Sequence, residues 1–115
     1  MNESQKEVYE QFTNVLSTYQ TERNRNNLHN PYTLKNYDDS DERYLDIVVE
    51  VSSENFGRIA YVTIRYDCER ETYNDPNFFY GKGQIKSVIV EKCNLSGSDL
   101  NLINRLERIP FKEMF

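Results

Sequence analysis

An α+β fold is the simplest architecture this chain predicts: an N-terminal helix, a three-stranded antiparallel sheet and a C-terminal helix. Two observations lead to it. Apolar residues recur at helical spacing at both ends, and three runs between them alternate apolar with polar residues, the period of a half-buried strand. At 115 residues the chain reads as one domain, 1–115, with both helices on one face of the sheet.

The first helix is expected over 4–20. Val8, Phe12, Val15, Leu16 and Tyr19 make one apolar stripe, and Ser4 to Glu7 fits a capping box. Residues 21–43 lack a period and hold five asparagines, so a long loop is expected there. Leu28, Tyr32, Leu34 and Tyr37 are its candidate anchors, with a short helical turn around Pro31 to Asn36 as one way to order it.

The first strand is expected over 44–52. Leu45, Ile47, Val49 and Val51 face the core, and Tyr44, Asp46, Val48 and Glu50 face outward. A turn at 52–57 leads into the second strand, 58–66, which turns Ala60, Val62 and Ile64 inward. Residues 67–83 read as a second long loop, with a turn signal at Asp75-Pro76-Asn77 and three consecutive aromatics, Phe78, Phe79 and Tyr80. The third strand, 84–92, has ambiguous facing: Ile85 and Ile89 fall on one side, Val88 and Val90 on the other. The last helix is expected over 98–108, capped by Ser96 or Ser98, with Asp99 in its first turn and Pro110 as its stop.

The charge is localised. Residues 38–54 hold seven acids and one base, while the remainder holds twelve acids and thirteen bases. A local acidic field steers a partner. It disfavours direct nucleic-acid binding, which needs clustered Lys and Arg; Arg23 and Arg25 are too few to make a patch. The first twenty residues are polar and no run reaches transmembrane length, so a cytoplasmic protein without membrane contact is expected. Cys68 and Cys93 lack a metal spacing and read as reduced thiols, a mutual bridge being the alternative. The bias toward Asn, Tyr, Ile and Lys suits an AT-rich genome, such as that of a low-GC bacterium or its mobile elements.

The acidic run Asp38, Asp39, Asp41, Glu42 could serve metal binding, catalysis, solubility or docking. An EF-hand loop counted from Asp38 would need Gly at its sixth position and Glu at its twelfth; Arg43 and Val49 stand there. Metal-dependent nuclease chemistry at Asp46 needs a second acid and a Lys close by, and no E-x-K follows on the next strand. His29 lacks a recognisable nucleophile partner, and Gly81-Lys82-Gly83 is too short for a phosphate loop. No catalytic, metal or cofactor residue is assigned, and a non-enzymatic role is expected. The bland reading of the acids is a solvated run that keeps the hairpin soluble. In the docking reading, Asp46 and Glu50, about 13 Å apart on the strand's outer face, extend the run into a strip imitating nucleic-acid phosphates. Tyr37, Tyr44, Phe79 and Tyr80 are its candidate anchors, with Tyr32 and Tyr73 on the same side.

In element order and acidity, though in no quotable motif, the chain is similar to some phage-encoded anti-CRISPR inhibitors. That resemblance implies an inhibitor occupying the basic groove of a nucleic-acid-handling protein. An immunity protein or antitoxin is the alternative, and an enzyme with an unrecognised site the third reading. A homodimer through the bare sheet face is a further expectation.

Overall fold

The computed structural model describes residues 1–54, 57–74 and 79–109; the side chains of Tyr73, Asn74, Phe79 and Tyr80 lie outside it. The fold is α+β, with a helix at each end of an antiparallel sheet, but the sheet has four strands rather than three. In order come α1 (Glu3–Arg25), β1 (Tyr32–Asp38), β2 (Tyr44–Ser52), β3 (Ile59–Asn74), β4 (Phe79–Glu91), a 3-10 turn (Gly97–Asp99) and α2 (Leu100–Leu106). The strands form a meander, β1-β2-β3-β4, so β1 and β4 are its edges.

Helix α1 is longer than its apolar stripe predicts. The capping box is made by Asn2 and Gln5, not Ser4 and Glu7: the Asn2 side chain accepts from the Gln5 amide, and the Gln5 side chain accepts from the Asn2 amide. The helix continues through polar residues to Arg25, where Arg23 and Arg25 suit the negative end of the dipole. It stops at Asn26 and Asn27; Asn27 adopts φ +53°, and the Leu28 amide returns to the Arg23 carbonyl. Val8, Phe12, Leu16 and Tyr19 are buried on the sheet, each worth on the order of 1.5–3 kcal/mol of apolar transfer.

The expected loop 21–43 thus contains the end of α1 and all of β1. Residues 31–36 are extended, not a helical turn. Strand β1 hides from a periodicity reading because its register slips by one at Lys35: Leu34 pairs with Val49, and Asn36 with Val48. The bulge puts Tyr32, Leu34 and Tyr37 on the helix-covered face although their spacing is odd. Tyr32 is buried and Leu34 half-buried, whereas Leu28 is half-exposed and anchors nothing in the core.

Strands β2 and β3 pair without interruption from Tyr44–Asp67 to Ser52–Ile59. Their inward residues are those expected, and all of them are fully buried: Leu45, Ile47, Val49, Val51, Ala60, Val62 and Ile64, joined by Tyr66 and Cys68. The expected loop 67–83 is the continuation of β3 and the start of β4. The turn signal at 75–77 and Phe78 lie outside the described residues. A bulge at Lys86 resolves the facing of β4. Tyr66 pairs with Ile85 and Arg65 with Ser87, so Ile85, Val88 and Val90 share the inner face and Ile89 turns outward. A larger irregularity sets Cys68, Glu69 and Arg70 against Gly83 alone.

Both helices lie on this inner face. Helix α2 begins at Leu100 after the 3-10 turn, and neither Ser96 nor Ser98 supplies a side-chain cap to it. Two buried tyrosines tie the C-terminal segment to the sheet: Tyr32 donates to the Leu102 carbonyl at 2.6 Å and Tyr66 to the Ile109 carbonyl at 3.3 Å. Burial pushes both phenols well above their usual range. Helix α1 bonds both edge strands, through Gln20 to Tyr32 of β1 and through Gln11 to Lys82 of β4. The helix is therefore tied to the sheet at both of its edges.

Gly83 is required where helix and sheet meet. Its φ is +85°, and a Cβ there would sit 2.8 Å from Val8 Cγ2. Gly83→Ala is expected to cost on the order of 2 kcal/mol through backbone strain and overpacking, read as a lower denaturation midpoint with an unchanged slope.

Candidate protein-binding surface

The acidic run forms the turn between β1 and β2, and its backbone is fixed from below. Gln5, 2% exposed, shares its amide protons among the carbonyls of Asp39 (3.2 Å), Asp41 (2.8 Å) and Tyr44 (2.9 Å). Asn2 Nδ2 donates to the Glu42 carbonyl at 2.8 Å. With the backbone carbonyls held inward, the carboxylates point to solvent. Asp38 accepts from the Ser40 amide at 2.9 Å, and hydrogen bonds from Ser40 hold it below the usual carboxylate range. Asp41 accepts from the Arg43 amide, and Asp39 lies 2.9 Å from the Met1 amino group. Asp38, Asp41 and Glu42 are exposed.

Asp46 and Glu50 stand on the outer face of β2 as expected, but each has a cation beside it. Arg65, directly opposite on β3, grips Asp46 with two bonds of 2.8 and 3.0 Å, and Lys35 lies 3.3 Å from Glu50. The continuous acidic strip from 38 to 50 is therefore partly neutralised along β2, and its exposed acids cluster at the turn. Tyr44 is on the outer face, its ring centroid 5.6 Å from the Arg43 guanidinium and 5.1 Å from that of Arg65.

The tyrosines do not share one side. Tyr32 is buried under the helices, and Tyr37 packs against Tyr9 of α1 with ring centroids 5.2 Å apart and the planes tilted by 59°, on the face opposite Asp46. The side chains of Tyr73, Phe79 and Tyr80 lie outside the described residues. Arg43, Arg65 and Asp67 join this surface without having been singled out in the sequence. Their signal was the hairpin register, since each β2–β3 pair sums to 111 and so sets Asp46 against Arg65.

Asp67 closes the same corner. Arg43 reaches it at 3.0 Å and Arg70 at 3.3 Å, and the Glu69 amide donates to it. The Arg43 hydrogen bonds hold its carboxyl below the ordinary range.

Other chemistry-bearing residues are accounted for by structure. His29 is half-buried, its Nε2 lying 3.0 Å from the Ser52 carbonyl and 3.2 Å from Ser52 Oγ. A nitrogen that donates to a carbonyl has no lone pair for a hydroxyl proton, so the two do not form a base–nucleophile pair. Both cysteines are free, Cys68 buried and Cys93 exposed, and burial pushes the Cys68 thiol up to about 11. Among the described residues, no three His, Cys, Asp or Glu converge on a common point, and no helix is long and apolar enough to cross a membrane. A groove of about 390 Å³ between α1 and β1 is lined by Thr13, Leu16, Ser17, Gln20, Asn30, Tyr32, Thr33 and Leu34. Its one ionisable group, Tyr32, has its hydroxyl on Leu102. The chain matches no protein-family model, no curated protein and no solved structure.

Two measurements follow. Gln5→Ala leaves three carbonyls without their buried donor and is expected to destabilise the fold by about 2 kcal/mol, with hydrogen exchange rising first across 39–44. Asp67 should tilt the acid limb of stability. Its folded-state value is depressed, so its contribution is complete above the unfolded carboxyl value near 4 and is lost as pH falls through the lower folded value. Asp67→Asn should flatten the stability profile below about pH 4.

Proposed function

We propose that this chain is a non-enzymatic inhibitor that docks its β1–β2 turn on a basic surface of a nucleic-acid-handling protein. The observation that carries this reading is the pinning of the acidic turn by Gln5 and Asn2. A docking element already held in one backbone conformation gives up little entropy on binding. Asp38, Asp41 and Glu42 are the proposed phosphate-like contacts. Tyr44, with the Arg43 and Arg65 guanidinium groups over its ring, is the proposed aromatic anchor. Asp46 and Glu50 set the geometry of the flanking strand through Arg65 and Lys35 more than they offer free charge.

The proposed setting is the bacterial cytoplasm. An antitoxin or immunity protein would use the same turn against a basic toxin, and an adjacent toxin gene would favour it.

The test is affinity capture from nuclease-treated low-GC bacterial lysate, followed by titration of the captured protein. Electrostatic docking predicts fast association that slows steeply as salt rises. The double change Asp41→Lys, Glu42→Lys should weaken binding at least tenfold, while alanine at Asn24, Asn26 and Asn27 leaves it unchanged. Equal losses from both sets, or binding indifferent to salt, would overturn the assignment.

A further inference from the structure

The two edges of the sheet are not protected alike. At β1, the Gln20 side chain donates to the Tyr32 carbonyl, Asn30 accepts from the Tyr32 amide, and the bulge at Lys35 breaks the edge further along. At the start of β4, Gln11 bonds both the amide and the carbonyl of Lys82. These are the devices by which sheets avoid pairing with other chains. Beyond them β4 continues through Ser87, Val88, Ile89 and Val90, four residues without a charge. Ile89 is 53% exposed on the outer face and Val90 41% exposed on the inner.

The backbone of this stretch faces outward at defined positions. The Ile59 carbonyl accepts from the Asn94 amide, so residues 59, 61 and 63 of β3 direct their backbone groups toward β4. Their β4 counterparts, Ile89 opposite Thr63 and Glu91 opposite Tyr61, direct theirs back. By alternation, Val88 and Val90 present their N–H and C=O groups to the open edge.

We propose that two copies of this chain pair antiparallel through Ser87–Glu91, about a two-fold axis at Ile89, joining two four-stranded sheets into one. The segment is complementary to itself in that register. Val88 lies opposite Val90 of the second copy, and the two symmetric pairs exchange four backbone hydrogen bonds. Ile89 meets Ile89 of the second copy at the intervening position, where antiparallel Cα atoms approach to about 4.5 Å. Ser87 lies opposite Glu91 of the second copy, so like charges do not face each other within the five residues. Lys92 turns out of the strand at φ +51° and sets its ammonium over Tyr61, away from Lys86 of the second copy. The axis stands perpendicular to the sheet, which keeps all the helices on one side. A symmetric pairing buries the same patch on both copies and closes without further growth.

Sedimentation of the purified full chain, with a disulfide trap, tests this. The wild type should sediment at twice 13.7 kDa. Ile89→Lys should sediment as the monomer with an unchanged circular dichroism spectrum. In a Cys93→Ser background, Ile89→Cys should oxidise to a covalent dimer, since 4.5 Å lies within the Cα range of a disulfide. Thr63→Cys, one strand inward, should not. A monomeric wild type, a dimer that survives Ile89→Lys, or equal cross-linking at positions 63 and 89 would each overturn the proposal. A wild type that stays monomeric alone but loses a foreign partner on Ile89→Lys would reassign the edge to a strand of that partner.

Discussion

All the apolar sheet side chains that pack into the core must reach a single face, because both helices cover the same side. That constraint governs the rest of the molecule. The strands do not keep a uniform alternation, and two one-residue slips, at Lys35 and at Lys86, return the chain to the correct parity where it drifts. Without the slip at Lys35, Tyr37 would turn to solvent and lose Tyr9. Without the slip at Lys86, Ile85 would stand on the opposite face from Val88. A one-residue error in a strand moves every later side chain across the sheet, so these slips are what allow a modest apolar content to make one continuous core.

Three glutamines on α1 complement this arrangement. Gln20 and Gln11 satisfy backbone groups at the two sheet edges, and Gln5 satisfies the carbonyls of the β1–β2 turn. A side-chain amide has the same donor and acceptor chemistry as a peptide group, so the helix performs at these points what an additional strand would. The tyrosines act similarly at the other end, where Tyr32 and Tyr66 give the core large rings and spend their hydroxyls on carbonyls of the C-terminal segment. Much of the tyrosine content is thereby architectural.

How far the sequence foretold this follows the same physics. The stripe on α1 and the inward sets of β2 and β3 were legible because their periods run unbroken. Strand β1 was illegible because its apolar residues, 32, 34 and 37, straddle a bulge and match neither a strand nor a helix. The facing of β4 was ambiguous for the same reason, and Gly81 and Gly83 disguised its start as a loop. The acids were plain to see, but their partners were not. Asp46 meets Arg65 through a hairpin register that the expected strand bounds left unset, and the turn meets Gln5 across a separation that only the fold closes.

Helix α1 is bonded to both edge strands and to the β1–β2 turn. Detaching it would uncover the inner apolar face and the backbone groups of both edges in the same event. Partial unfolding that begins at α1 would thus expose two unpaired strands together, which is the state in which a sheet is most open to pairing with other chains.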